Sequence, residues 1–316
     1  MKFHFKIVHW IFFLWLIILI FSYDILFGYL LLFVDFVILI FTDINSALAI
    51  LNFSLIDTFL SALLFLFLLP LVFLLQKKLA FVRTNLNFSF ATLIVLGFIF
   101  IFAPIISNEN SEFSKNLSVT KLLPPFSSIE FIELKKSENL SYSEADKFKD
   151  KMNDIIKPSY NENIIFADSV VLFQTVVYYQ KDEANKILGN ELESKNGIPI
   201  VKEKFFLLGT DEFGRDLFTR LLFGTRISIT IGFGAVLLSL LIGVLLGFTA
   251  GYGGGILDVI LNRFTETFLA FPVIYLVVLI LALFGSSVIS IIIVLGISGW
   301  MSLFKIVKSE VLSIKQ

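Results

Sequence analysis

The residues best placed to do chemistry lie in one stretch of this 316-residue chain, Leu208-Gly-Thr-Asp-Glu-Phe-Gly-Arg-Asp-Leu-Phe-Thr-Arg-Leu-Leu-Phe-Gly-Thr-Arg226. Thr210 or Asp211 can cap a helix by accepting from its free N–H groups. Glu212 adds negative charge near the positive end of the helix dipole. Phe213, Leu217 and Leu221 recur at i, i+4 and i+8, with Phe218 and Leu222 beside them. Arg215, Asp216, Thr219 and Arg220 take the other face, and Gly224 is a natural stop. The spacing predicts an amphipathic helix of about three turns, suited to a membrane surface. Its chemistry is that of capping, ion pairing and positioning.

Bond-making chemistry finds little support elsewhere. The chain has two histidines, His4 and His9, and no cysteine. That argues against a His-based triad, a thiolate metal site or a disulfide scaffold. Gly251-Tyr-Gly-Gly-Gly255 lacks the Lys-Ser/Thr of a P-loop, and no βαβ unit surrounds it. It reads as a tight turn in which Gly supplies positive φ. Arg263 and Glu266 stand at i, i+3, a spacing that permits an ion pair. A carboxylate near a span either serves such a structural pair or faces a wet path; the same choice applies to Asp35. The formal charge of −1 provides no basic field for nucleic acid.

The elements that must carry these residues are apolar. Hydrophobic residues make up 57% of the chain and charged ones 16%, with 38 Phe, against about 25% charged in soluble domains. Between Ser107 and Arg226 lie 19 of the 26 acids and 16 of the 25 bases. The chain therefore reads as a membrane protein interrupted by one polar insert. Seven apolar stretches approach the length needed for a core of about 30 Å: Ile7–Ser22, Ile25–Phe41, Leu55–Leu75, Ser89–Ile106, Ile227–Ala250, Val259–Phe284 and Val288–Phe304. The expected fold is an all-α polytopic membrane protein with an outward insert, itself either a small α+β lobe or a membrane-packed loop. The first two stretches, separated by Tyr23-Asp24, predict a tight hairpin. Their combined length exceeds the 7–15 residues of a signal-peptide core. Pro70 and Pro272 predict kinks near helix ends. Gly232, Gly234, Ala235, Ser239, Gly243 and Gly247 form small-residue ridges that predict close helix packing.

Orientation follows from Lys and Arg near span ends. Lys77, Lys78 and Arg83 precede the fourth stretch, and Lys305, Lys308 and Lys315 follow the seventh. Four crossings between the clusters put both in the cytoplasm and the insert outside. The same parity puts the N-terminus outside if all three early stretches cross, which Lys2 and Lys6 oppose. Within the insert, Leu122-Leu123-Pro124-Pro125 reads as a rigid extended connector. Ser143 to Met152 reads as a short helix capped by Ser143. Ile164 to Gln180 reads as one or two strands around Asp168-Ser169, and Asn190 to Lys204 as loop.

The string Leu-Gly-Thr-Asp-x-x-Gly-Arg-Asp, followed by Arg-Leu-x-x-Gly-x-Arg-Ile-Ser, resembles the segment before the second core span in membrane subunits of dipeptide, oligopeptide and nickel ABC importers. The residues that carry the resemblance are Gly209, Thr210, Asp211, Gly214, Arg215, Asp216, Arg220, Gly224 and Arg226. Gly243 to Gly255, Asp258, Arg263, Phe271-Pro272, Gly299-Trp300, Lys308 and Glu310-Val311-Leu312 continue it. Ser89–Ile106 and Leu122–Pro125 resemble the family's first span and the connector after it. The resemblance implies a multi-pass subunit of a bacterial inner membrane, working by alternating access for peptides or a related solute. It implies ATP-binding partner subunits that hydrolyse the ATP, a second membrane subunit and an extracytoplasmic solute-binding protein. It implies no cofactor, metal or catalysis in this chain.

The expected organisation is 1–80, extra N-terminal membrane segments; 81–106, first core span; 107–207, extracytoplasmic insert; 208–226, interfacial helix; and 227–316, core spans. Residues 1–80 have no counterpart in the family core, and the insert is longer than usual. The family's Glu-Ala-Ala loop, which docks into the ATPase, would follow Gln316, so the chain reads as truncated before its coupling end. Two alternatives remain open at this point: a membrane-anchored sensor or assembly protein acting through the insert, and a truncated, non-functional paralogue.

Overall fold

A computed structural model describes residues 7–75, 88–107, 111–135, 143–156, 164–172, 175–181, 183–192, 194–195, 198–270, 272–285 and 287–315. Lys2, Lys6, His4, Lys77, Lys78, Arg83 and Phe271, used in the sequence reading, lie outside the described residues. The chain divides into two compact units, Met1–Thr225 and Arg226–Gln316. It is a helical, multi-pass membrane protein with a small α+β insert. Among the described residues, five helical runs are long and apolar enough to cross a bilayer: Tyr23–Thr42, Ser54–Val72, Phe88–Ile106, Leu217–Gly253 and Val288–Lys315.

In the first unit, α1 (Ile7–Phe21) and α2 (Tyr23–Thr42) meet at one bent residue, Ser22. Ser22 N donates to Ile18 O at 2.8 Å, and Leu26 N donates to Ser22 O at 3.0 Å. Helical hydrogen bonding thus continues on both sides of the joint. The expected tight hairpin is replaced by a bend, because a helix reversal needs a loop of about 2–5 residues. After α3 (Ile44–Ile50), α4 (Phe53–Leu63) passes through a π-helical turn, Leu64–Leu68, into α5 (Leu69–Leu75). In the i→i−5 register the Phe65 carbonyl would be served by the amide of position 70, and Pro70 has none. The Trp15 indole N–H donates to that carbonyl instead, at 3.3 Å. Helix α6 (Phe88–Ile106) completes the bundle. Tyr29 Oη donates to Pro104 O at 2.6 Å and Ser61 Oγ to Ile101 O at 2.7 Å. Rings of Phe65, Phe98 and Phe102 pack edge to face in its core.

The insert is α+β. A short helix α7 (Leu117–Thr120) precedes β1 (Ser127–Glu133), and α8 (Glu144–Ile156) follows. Ser143 Oγ accepts from Asp146 N at 3.2 Å, and Asp146 Oδ2 accepts from Ser143 N at 3.3 Å, a reciprocal cap. The strands β2 (Ile164–Ala167), β3 (Ser169–Leu172), β4 (Thr175–Gln180), β5 (Glu183–Leu188), β6 (Ser194–Lys195), β7 (Ile198–Pro199) and β8 (Val201–Phe206) complete it. They form antiparallel sheets ordered β2-β1-β8, β3-β4-β5 and β6-β7. The region expected as loop, Asn190 to Lys204, thus supplies three strands. Val201–Phe206 carries alternating Lys and Glu that hide its strand character, and pairing with β1 overrides the weak local signal. Ile164 to Gln180 makes three strands where one or two were expected.

The insert also packs on the N-terminal helices. Phe148 and Ile156 of α8 are buried in one cluster with Leu26, Tyr29, Leu32 and Phe36 of α2. A Cβ on Gly28 would stand 3.1 Å from the Ile155 side chain. Lys151 Nζ pairs with Asp35.

In the second unit, α9 (Leu217–Gly253), which starts in the first, is followed by α10 (Gly255–Ala270), α11 (Val273–Phe284) and α12 (Val288–Lys315). The expected single span Val259–Phe284 is two helices, because Pro272 lacks an N–H and disfavours helix in the residue before it. The small-residue ridges pack closely from Gly234 to Gly247, as their spacing predicted, while Gly232 meets nothing within 4 Å. A Cβ on Gly243 would meet Trp300 O at 3.1 Å, and one on Gly247 would meet Phe304 O at 2.9 Å. Ser239 Oγ donates to Gly296 O at 2.8 Å. Contacts advance in step from Gly234–Ile292 to Gly251–Val311, so α9 and α12 run parallel at backbone contact.

Candidate functional site

The candidate site is the turn that feeds α9. Its first departure from expectation is the helix start. Residues 211–215 form a turn, closed by a bridge between Thr210 and Asp216. The cap is Asp216, not Thr210 or Asp211. Asp216 accepts from Phe218 N at 3.2 Å and from Thr219 N at 3.1 Å. The helix then runs 37 residues without a break, and Gly224 sits inside it with open space around it. At 1.5 Å per residue α9 is about 56 Å long, well beyond a core of about 30 Å. The separate interfacial helix expected over 208–226 is therefore a turn plus the head of α9. Leu222, Gly224 and Arg226 propagate the helix because nothing near Gly224 supplies the left-handed cap that would end it.

Asp211 is the hub. Its carboxylate accepts from Phe213 N at 2.8 Å, Arg215 N at 3.0 Å and Arg215 Nε at 2.9 Å. It also pairs with Arg220. Burial pushes the carboxyl up, but these amides and guanidinium groups outweigh it and hold Asp211 below the usual carboxylate range. Arg215 reaches Glu112 through Nη1 at 2.7 Å and covers the Phe213 ring, with Cζ 4.6 Å from its centroid. Burial pushes the guanidinium down, but Asp211 and Glu112 raise it overall.

Thr210 has a different task from the one its type suggested. It is buried, its Oγ1 donates to Thr120 O, and it accepts from Leu123 N at 2.8 Å. Thr210 N donates to Leu123 O at 3.1 Å, and Leu122 N donates to Asp211 O at 3.1 Å. The turn is therefore laced to the Leu122–Pro125 connector. That connector is not extended throughout: Leu122 and Phe126 stand at φ 54° and 61°. Such left-handed non-Gly residues cost about 1–3 kcal/mol each and persist only where their surroundings fix them. Gly209 and Gly214 stand at φ 76° and 68°. A Cβ on Gly209 would collide with Leu123 O, and one on Gly214 with Thr120 Oγ1. Thr219 Oγ1 lies 2.9 Å from Ser107 Oγ in a buried contact just after α6.

The structure thus brings together Gly209, Thr210, Asp211, Gly214, Arg215, Asp216 and Arg220. Gly224 and Arg226 lie further along α9, with Arg226 in the second unit. Arg263 and Glu266 pair at 2.8 Å on α10, both largely exposed. Sequence reasoning missed Glu112, Thr120 and Ser107, which join the turn from about 90 to 112 residues away and carry no spacing signal. It also missed the pairing of Lys308 with Asp258 at 2.5 Å, which links α12 to α10.

No family model matches the chain. It is 44% identical over 107 residues to the dipeptide transport system permease protein DppC of Bacillus subtilis, covering 34% of this chain and 33% of that protein. It is 38% identical over 113 residues to the oligopeptide transport system permease protein OppC of Haemophilus influenzae, 36% of each chain. It is 38% identical over 109 residues to the glutathione transport system permease protein GsiD of Pectobacterium atrosepticum, 34% of this chain and 36% of that one. The chain spans about a third of the length of the curated relatives it matches. Over that third, this multi-pass membrane protein is a homologue of the permease subunits of dipeptide, oligopeptide and glutathione transport systems.

Proposed function

We propose that the chain is a transmembrane subunit of a binding-protein-dependent ABC importer in a bacterial inner membrane, and that it forms part of the path for peptides or a related solute. The observation that carries this reading is its 44% identity to a dipeptide permease over 107 residues, in a chain with helices able to cross a bilayer. ATP-binding subunits hydrolyse the ATP, a second membrane subunit completes the path, and an extracytoplasmic solute-binding protein delivers the solute.

In this reading Gly209 to Arg220 position and do not touch solute. Asp211 neutralises two guanidinium groups and, with Thr210, ties the head of α9 to the connector after α6. The head of α9 is thereby held in one orientation at the outer mouth. The Arg263–Glu266 pair is a surface staple on α10. The test is uptake of labelled di- and tripeptides in cells lacking the gene, with and without the gene restored, together with purification of the tagged chain. Lost uptake that returns on restoration, with an ATP-binding subunit co-purifying, is the expected result. Full uptake of every peptide in the deletion strain sinks the reading.

A further inference from the structure

We infer that α2, although apolar enough to cross a bilayer, lies along the membrane surface on the side of the insert, roofed by α8, and does not cross. The side is defined here by the insert. That this side is the outer one rests on the importer reading.

The argument starts from α8. Seven of its 13 residues are charged: Glu144, Asp146, Lys147, Lys149, Asp150, Lys151 and Asp154. Such a helix belongs at water, because each charge is expensive in hydrocarbon. Yet α8 lies antiparallel along α2. Ile155 meets Gly28, Lys151 meets Asp35, and the Phe148 ring lies tilted against that of Phe36 with centroids 5.6 Å apart. At the far end Glu144 and Lys147 line one cavity with Leu39 and Thr42. Helix α2 therefore runs beside a water-bound helix from Gly28 to Thr42, over the roughly 20 Å that the 13 residues of α8 span. A helix crossing the core could not keep that neighbour over that length.

Depth markers agree. Trp15 of α1 bonds to Phe65 O, and Val8 shares a cavity with Val72 and Leu74. Helix α1 thus runs antiparallel to the stretch from the π-helical turn through α5. Tyr29 bonds to Pro104, three residues before the insert begins at Ser107. Phe36, seven residues later, contacts Phe59, which is two residues from Ser61 and its bond to Ile101. Tyr29 and Phe36 are therefore at nearly the same depth, and α2 runs across the end of α6 and not beside it. The face of α2 left uncovered is apolar: Leu31, Val34, Ile38 and Phe41 are exposed at i, i+3, i+7 and i+10. With α8 on the water side and the bundle on one flank, lipid at the interface is the occupant that fits this stripe.

The chain has no cysteine, so single cysteines report without background. A spin label on Val34→Cys in reconstituted bilayers is read for depth, by its accessibility to oxygen against a water-soluble nickel chelate. A crossing α2 would put this mid-helix residue near the bilayer centre. A shallow position is expected, and a central one overturns the inference. Asn45→Cys, just after α2, is then labelled with an impermeant maleimide in intact and permeabilised cells beside Glu183→Cys in the insert and Ser313→Cys near the end of α12. Asn45 is expected to label with Glu183. Labelling with Ser313 overturns the inference. If Glu183 and Asn45 together prove internal, the inference stands and the outward placement of the insert falls.

Discussion

Arg215 Nε donates to Asp211 Oδ2 at 2.9 Å while its Nη1 donates to Glu112 at 2.7 Å, so one guanidinium joins the turn before α9 to the segment that follows α6. Those carboxylates are 99 residues apart in sequence. The link closes only when the intervening insert has folded back through β8.

Asp211→Asn keeps the shape and removes the charge that both arginines share. The Asp211 side chain is only 14% exposed. The loss is expected to be about 1.5–3 kcal/mol, the range for hydrogen bonds to a charged group. Thermal unfolding of purified protein in detergent measures it, and a variant as stable as the parent would remove Asp211 from the role of hub.

The same residue sets a pH dependence. Its folded pKa is depressed below an unfolded value of about 3.9. Its stabilisation is therefore fully present above about pH 4 and lost as pH falls through the folded value. The stability gap between parent and Asp211→Asn is expected to stay constant from pH 8 to about 5 and to shrink below about 4. Unfolding midpoints of the two proteins across that range give the comparison.

Glycines in and after the turn are expected to respond with opposite signs. Gly209→Ala puts a Cβ into Leu123 O at a left-handed φ and should cost about 1–3 kcal/mol or prevent folding. Gly224→Ala is in the interior of α9 with open space beside it, and should stabilise by up to about 1 kcal/mol. Melting temperatures of both variants decide it; destabilisation by Gly224→Ala would argue for a helix end at that point.

Trp15→Phe leaves the Phe65 carbonyl without its donor and should cost about 1 kcal/mol. In a Pro70→Ala background the restored amide can serve that carbonyl, so the penalty should shrink. A double-mutant cycle reads the coupling, and additive penalties would count against the account of the π-helical turn.

Gly247→Ala brings a Cβ against Phe304 O at 2.9 Å, where neither helix backbone can yield cheaply. A cost of about 1–3 kcal/mol is expected. Gly232→Ala, on the same helix but with nothing within 4 Å, should cost nothing and, like Gly224→Ala, stabilise by up to about 1 kcal/mol. The pair of melting curves separates close packing from a general effect of Gly in α9.

Much of the membrane part was legible in the sequence. Apolar length marked most of the long helices, and the ridge through Ser239, Gly243 and Gly247 marked the face of α9 that packs on α12. Ser143 announced the start of α8. These are local signals, in which period and residue type speak within one or two turns. The sequence by itself determined that Leu208 to Arg226 is a charged, capped segment leading into a span, but read it as helix from its start; the turn over 211–215, with Gly209 and Gly214 left-handed, came from the tertiary structure. The sequence misplaced the helix start by five or six residues, because Thr210, Asp211 and Asp216 are all good caps by type. Tertiary structure chose Asp216: Thr210 was taken by Thr120 and Leu123, and Asp211 by two arginines. Tertiary structure also decided the fate of α2. Hydropathy measures how favourably a helix leaves water, not which neighbour covers it, and only the packing of charged α8 along Gly28 to Thr42 distinguishes a helix on the membrane from one through it.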